Sequence, residues 1–435
     1  MSEVGPPVSG RGWRFGYPDY VLLMLILMYM LQYIDRSVVP ILAQPVKAEF
    51  GLTDRTVGLV VGFVFTVPLG LMLVPAGYMA DRGNRRNILS IALVVWSLLT
   101  FVSGFARNLW QLAAIRALVA AAEAFFVPNS QALIADYYDR TKRATALSRV
   151  FIATALAIFV GVPLVAGVAN AYGWRAGFFI AGAPGLILGI IFFLTVREPR
   201  RGSSDGITTV APPPSLRQAF RIIKRQPSAI HVAWGMTVNT MVFAAFSAWT
   251  MPFLMRVHGM SLSDAGWVMS VAYGGAAAVG YLFGGVVIDH LGRRDARWFA
   301  AVPGGLVLIG LLSMQTTSFA TSRGILIGSI AMWSLINAVV VGPSIAVVQN
   351  LIPPQMRGLV AGGTSVLLNT VGAGLGPLIA GGLSDMFAAD YGTRSISMAL
   401  AVAALLQLWA ALHFFWATRT INADIARIDS LSSET

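Results

Sequence analysis

Four ionisable residues stand where the chain is otherwise apolar: Asp35, Arg36, Arg116 and Glu123. A charge facing lipid costs at least a few kcal/mol, so each must face a protein interior or a water-filled chamber. A guanidinium keeps its charge and matches a carboxylate or phosphate through two parallel hydrogen bonds. Arg36 and Arg116 are therefore expected to bind an anionic head group. Burial favours the uncharged form of a carboxyl, so Asp35 and Glu123 are expected to carry a coupled proton. At about 1.5 Å per residue, Asp35 lies roughly 24 Å from one end of its run, and Arg116 roughly 13 Å from the opposite end of its own. Those depths allow an Asp35–Arg116 pair. Glu123 follows two turns later on the same face as Arg116. Pro128 cannot donate to the carbonyl of Ala124 and is expected to kink the helix beside Glu123. Permanent pairing that only ties the two helices together is the competing interpretation.

The runs that must hold these residues are long. The chain of 435 residues is 56% hydrophobic and 11% charged. Soluble domains carry about a quarter charged residues, so lipid is the expected solvent. Twelve apolar spans are read, near 19–42, 55–79, 86–106, 107–135, 145–171, 174–196, 229–255, 262–288, 296–318, 324–350, 358–385 and 392–418. Each approaches the length of about 20 residues that crosses a bilayer. With the N-terminus inside, 22 of the 31 basic residues fall in the tails and even-numbered loops, against 7 in odd-numbered loops. Lys and Arg favour the cytoplasmic side, which puts both termini there. The net charge of +12 thus reads as membrane orientation, and no nucleic acid partner is expected. The first span has no features of a cleaved signal and is expected to be retained.

The chain also repeats itself. Gly77, Asp81, Arg85 and Arg86 recur as Gly285, Asp289, Arg293 and Arg294, each 208 residues on. Pro163 and Pro377, Pro128 and Pro343, and Arg143 and Arg357 recur at 214 or 215. A fixed-period echo of this kind means tandem copies of one bundle. The expected architecture is all-α: twelve transmembrane helices in two pseudo-symmetric six-helix bundles. Its parts are a tail (1–18), a first bundle (19–196), a loop (197–228), a second bundle (229–418) and a tail (419–435). Within the loop, Leu216, Phe220 and Ile223 share a face beside Arg217, Arg221, Lys224 and Arg225. That suits either a helix lying on an anionic leaflet or a solvated basic loop.

Other chemistries lack their residues. Cys is absent, which removes disulfides and thiolate metal sites. The four His residues, at 231, 258, 290 and 413, form no ligand pattern, and no metal or cofactor is expected. There is neither a GxSxG elbow nor a phosphate-binding GxxxxGK[ST] loop, so neither a hydrolase nor an ATP-driven pump is expected.

The repeated Gly-x-x-x-Asp-x-x-x-Arg-Arg loop resembles the signature of the major facilitator superfamily. Tyr33-Ile-Asp35-Arg36, Arg116 with Glu123, Gly173-Trp174-Arg175, Gly182-Ala-Pro184-Gly185 and Arg197-Glu198-Pro199 are together similar to Spinster-type transporters of lysophospholipids and sphingoid lipids. The Asp-Arg and Arg/Glu pieces also resemble the anion:cation symporter family, which carries sugar acids with protons. The resemblance implies alternating access around a cavity lined by spans 1, 4, 7 and 10. It also implies a latch formed by the repeated loop residues. Substrate-binding candidates are then Arg36, Arg116, Tyr33, Asn129, Trp234, Asn239, Trp333 and Asn337. One charged wall and one apolar wall suit an amphiphile. The expectation is a proton-coupled carrier of an anionic or zwitterionic lipid such as a lysophospholipid. Symport of a small organic anion and efflux of drugs or amphiphiles by antiport are the alternatives. A monomer in a bacterial inner membrane is expected, with protons, cargo and the bilayer as partners.

Overall fold

The structure is a computed structural model and describes residues 16–199, 221–292, 294–352 and 356–433. Among these residues every regular element is helical. The helices of the first half are α1 (Tyr17–Phe50), α2 (Asp54–Val61 continuing as Phe63–Arg82), α3 (Arg85–Ser103), α4 (Leu109–Glu123 continuing as Phe126–Tyr137), α5 (Arg140–Leu156 continuing to Tyr172) and α6 (Trp174–Thr195). The second half holds α7 (Pro227–His258), α8 (Leu262–Val268 continuing to Gly292), α9 (Trp298–Phe319), α10 (Arg323–Asn350), α11 (Arg357–Val366 continuing to Met386) and α12 (Ser395–Ala404 continuing as Leu406–Ala417). A last helix, α13, spans Ile421–Ser433. Eleven of the described helices are long and apolar enough to cross a membrane, all of them among α1–α12. The amphipathic segment read at Leu216–Arg225 lies half outside the described residues; 221–224 are helical.

Local chemistry sets the helix ends, and it repeats between the halves. Gly51 and Gly259 both close a long helix with positive φ, +62° and +64°, and lie 208 residues apart. Only glycine adopts that left-handed conformation without strain. Two residues later, Thr53 and Ser261 cap α2 and α8 by accepting from the backbone N–H groups of Thr56 and Asp264. Asn84, Asn108 and Ser322 cap α3, α4 and α10 in the same way.

Six of the described helices lose α-geometry part-way along: α4 at Ala124–Phe125, α12 at Leu405, and four that border one region. α2 breaks at Gly62, where ψ is −97°. α5, α8 and α11 contain π-helical turns at Ala157–Gly161, Met269–Gly275 and Leu367–Ala373. π-turns are rare and gather at functional sites.

Packing differs at the two ends of the bundle. Near Lys47 and Asp54 a single apolar core joins both halves, with Leu42, Val57 and Phe178 packed in one cluster with Trp249, Leu254 and Ala380. Near Gly77–Arg86 each half has its own core. One is built on Leu25, Trp96 and Phe192. The other is built on Val232, Leu351, Phe414 and Ile421 of α13.

Candidate functional site

α1 and α4 bring the four buried charges together as two crossed ion pairs. Arg116 donates from Nη1 to Asp35 Oδ1 at 2.9 Å and from Nη2 to the Asp35 carbonyl at 3.2 Å. Thr100 of α3 donates to the same Oδ1 at 2.5 Å. Arg36, the next residue of α1, donates from Nε to Glu123 Oε2 at 2.7 Å. α4 is interrupted at Ala124 and Phe125, ahead of Pro128, and Gln32 donates to the carbonyl of Glu123 at 3.1 Å. The pairs are unequal in burial. Asp35 and Arg116 side chains are each 2% exposed, whereas Arg36 is 27% exposed and Glu123 fully buried. Asp35 Oδ2 and Glu123 Oε1 are buried without a donor. Such acceptors cost free energy unless something satisfies them, and a proton on either carboxyl would do so.

A cavity of about 290 Å³ opens beside these pairs. Its first-half wall holds Tyr33, Arg36, Phe65, Thr66, Arg116 and Ile158. Its second-half wall holds Thr240, Phe243, Ser247, Met251, Met269, Tyr273 and Asn369. One wall therefore carries both guanidiniums, and the other mixes apolar side chains with hydroxyl and amide groups. The second-half lining comes from α7, α8 and α11, and the three π-turns and the α2 break all border it.

Not every residue singled out in the sequence reaches this cavity. Tyr33, Arg36 and Arg116 do. Asn129 is fully buried on α4 and donates to the Phe125 carbonyl at 2.7 Å. Asn239 donates to Asn337 at 2.9 Å and accepts from Gln407 at 3.0 Å, forming an amide chain that ties α7, α10 and α12 together. Trp333 of α10 stands behind the wall, packed on Phe243, Phe246 and Tyr273. α10 thus backs the cavity without lining it, because the aromatic side chains of α7 and α8 intervene. Trp234 is partly exposed on the outer surface, stacked with His413. The sequence reading missed Phe65, Thr100, Phe243 and Asn369, none of which carries a charge that stands out in an apolar run.

The repeated loop residues are placed unevenly. Arg85 is buried and hydrogen-bonds Asp136 of α4, Glu198 at 2.7 Å and the Ala132 carbonyl at 3.2 Å. Glu198 also accepts from the Arg86 backbone N–H at 2.8 Å. The Arg197-Glu198-Pro199 sequence therefore staples the end of α6 to the start of α3. The Arg86 guanidinium lies over Phe193. Gly77 has open space where a Cβ would stand. Asp81 is exposed, and no partner for it is found among the described residues. Gly285 and Asp289 lie in α8, but their side-chain surroundings are not described, and Arg293 lies outside the described residues. Arg294 is exposed and its guanidinium meets His290 at 3.4 Å.

At the far end the halves are bolted together through Asp54, which the sequence reading passed over. Arg256 of α7 forks onto both carboxylate oxygens at 2.5 Å. Lys47 donates to Oδ1 at 2.5 Å and Ser384 of α11 to Oδ2 at 2.7 Å. Asp385 accepts from the backbone N–H groups of Asp54 and Arg55 at 2.9 and 2.7 Å, placing a negative charge at the N-terminus of α2. The helices touch backbone to backbone here. A Cβ on Gly58 would lie 2.3 Å from the Pro377 carbonyl, and one on Gly62 would lie 2.2 Å from that of Gly374. The cavity is therefore closed at the Asp54 end.

Comparison with known proteins agrees with this architecture. The chain superposes on a bacterial homologue of the human lysosomal transporter Spinster in an inward-facing, unoccupied conformation, with a TM-score of 0.85 and 26% identity over 95% of this chain and 99% of that one. The inward-facing, occupied form of such a homologue gives 0.82. An MFS-type efflux pump of Mycolicibacterium smegmatis is 28% identical over 92% of this chain and 93% of its own length. A probable galactarate/D-glucarate transporter of Bacillus subtilis is 25% identical over 66% and 68%. Spinster homolog 1 of Xenopus laevis is 28% identical over 55% of this chain and 47% of its own length. The sequence profile of the Major Facilitator Superfamily matches residues 25–377. The chain belongs to the Major Facilitator Superfamily, whose fold is that of membrane transporters rather than enzymes.

Proposed function

We propose that this protein is a proton-coupled secondary transporter of an amphiphilic anion or zwitterion, a lysophospholipid in the leading version, working by alternating access. The observation that carries the proposal is the cavity with two guanidiniums on one wall and Phe243, Met251 and Met269 on the other. The anionic head would exchange with Glu123 for Arg36, the more exposed of the two arginines. The freed carboxylate, buried and without its cation, would then take a proton, because an unpaired buried charge is costly. Cargo and proton would thus be linked by competition for one guanidinium. The Asp54 end is read as extracellular, and the present state as inward-facing. The unpartnered Asp81 and the separate cores at its end of the bundle support that orientation.

A second reading has its own support. A volume of about 290 Å³ holds a head group or a sugar acid, while a full acyl chain would have to extend beyond the cavity. Carriage of a small organic anion fits that size and the galactarate/D-glucarate relative. Export fits the efflux pump, which matches over nearly its whole length. Reconstituted vesicles separate these readings. Lysophosphatidylglycerol and D-glucuronate are offered with and without an imposed pH gradient. Gradient-dependent movement of the lipid that is lost in Arg36→Ala supports the leading version. Movement of glucuronate alone replaces it with the second. Movement indifferent to the gradient and to Glu123→Gln removes proton coupling.

A further inference from the structure

Phe65 lies under both cavity arginines. Its ring centroid is 5.7 Å from Cζ of Arg36 and 5.1 Å from Cζ of Arg116. The two guanidiniums belong to different helices and pair with different carboxylates, yet they share this ring. The face of an aromatic ring is negative and attracts a cation within about 6 Å. Phe65 thus offers both cations one aromatic partner. It is also the third residue after the break in α2 at Gly62. There the α2 backbone meets that of α11: a Cβ on Gly62 would lie 2.2 Å from the Gly374 carbonyl, and one on Gly374 would lie 2.8 Å from Thr66 Oγ1. The backbone that carries the ring is thus held against the second half, while the ring itself packs in the first half's core with Leu69 and Phe126 and meets arginines of α1 and α4.

We infer that Phe65 is a positioning residue that couples the state of the interface between the halves to the two arginines of the cavity. With the Asp54 end closed, α2 rests on α11 and the ring holds Arg36 and Arg116 against the cavity wall. When α2 leaves α11, the ring shifts and the guanidiniums lose their shared support. The transport consequence rests on the reading of Arg36 as the head-group ligand. The positioning itself does not.

The test is arginine-selective labelling of the full chain in nanodiscs with phenylglyoxal, with the rate at each arginine read by peptide mass spectrometry. Arg85, fixed on Asp136 and Glu198, serves as an internal reference. Phe65→Leu keeps an apolar side chain but removes the ring, and it should raise the Arg36 rate about twofold to thirtyfold, the range of a cation–π contact. Phe65→Tyr should stay near wild type, and Arg85 should not change. Asp54→Asn, which weakens the closure, should move the Arg36 rate in the same direction as Phe65→Leu. An unchanged Arg36 rate in Phe65→Leu overturns the inference. So does an Asp54→Asn rate equal to wild type. If Phe65→Leu does not fold, mono-, di- and trifluorinated phenylalanine at position 65 keep the shape while draining the ring face. Arg36 should then label faster with each added fluorine, and a flat series overturns the inference equally. Arg36→Ala separates the two levels. If it leaves lysophosphatidylglycerol and glucuronate transport unaltered, the head-group reading falls while the labelling result stands. If it raises KM but Phe65→Leu changes neither KM nor labelling, only the role of Phe65 falls.

Discussion

At the residue scale, the crossed pairs differ in how much a lost partner should cost. Removing one member of a buried ion pair leaves the other charge unpaired, at a cost of about 3–5 kcal/mol. Asp35→Asn strands Arg116, whose side chain is 2% exposed, so thermal stability should fall clearly. Glu123→Gln strands Arg36, which already reaches the cavity, and the fall should be smaller. Melting curves in detergent, read by intrinsic fluorescence, give the order, and a Glu123→Gln protein less stable than Asp35→Asn would contradict the assignment of burial. Thr100→Val should weaken the Asp35–Arg116 pair by about 1.5–3 kcal/mol without abolishing it, since a single hydrogen bond to a carboxylate is lost. How much of this was legible in the sequence depended on depth and charge. Counting residues along two antiparallel helices puts Asp35 level with Arg116, and a charge in an apolar run announces itself. The Arg36–Glu123 bond was not legible that way. Arg36 lies further from Glu123 in depth than Asp35 does, and only its long side chain bridges the difference. Phe65 and Thr100 were hidden for another reason: in lipid-facing helices their residue types are as common in packing as in binding. Asp54 looked like a loop charge because its partner, Arg256, is 202 residues away.

At the scale of elements, the all-helical character and the order of the long helices followed from hydropathy, whereas the geometry inside the helices did not. No residue type marks a turn with i→i+5 bonding, so the π-turns of α5, α8 and α11 emerge only from tertiary packing. Glycines four apart, such as Gly58 and Gly62, stand out in an apolar sequence, but their partners do not, and two classes now separate. Gly182 packs inside the first half, where a Cβ would lie 2.6 Å from the Phe101 nitrogen and the Ser97 carbonyl. Gly58 and Gly62 face α11 across the interface between halves. Overpacking costs about 1–3 kcal/mol, but the two classes should lose it differently. Gly182→Ala should lower the melting temperature, because the first half has no other arrangement. The double variant Gly58→Ala, Gly62→Ala can escape its clash by parting the halves at the Asp54 end. Its melting temperature should therefore move less, while accessibility at that end rises. The measurement is thiol labelling of a single cysteine at cavity residue Ser247, with a membrane-impermeant maleimide added from the Asp54 side. Labelling no faster than in the glycine-bearing protein would show that the close contact does not hold the closure.

For the whole molecule, the proposed alternating access makes the closure at Asp54 and the separate cores at the other end one of two states, and the balance between them should be adjustable. A two-state equilibrium moves only by the differential free energy that a change imposes on its two ends. Asp54 gathers Arg256, Lys47 and Ser384 from three helices, two of them in the second half, and the bonds to Arg256 and Ser384 exist only while that end is shut. Asp54→Asn removes the charge but keeps the size, and it leaves Arg256 with its bond to Gln44. A loss of about 1.4 kcal/mol specific to the closed end would change the population ratio tenfold. The chain contains no cysteine, so pairs of spin labels can be introduced without a background. One pair, at Arg107 and Asp390, reports the Asp54 end, and a second, at Arg82 and Arg294, reports the opposite end. In Asp54→Asn the first distance distribution should gain a longer component while the second gains a shorter one, in matched proportion. Matching matters because rocking of the halves about the cavity ties the two ends together, whereas local fraying lengthens the first distance alone. Charge reversal at both partners, Asp54→Arg with Arg256→Asp, should return both distributions toward wild type. If the first pair lengthens and the second stays put, the Asp54 cluster is a local clamp and the two ends of the molecule are not coupled through it.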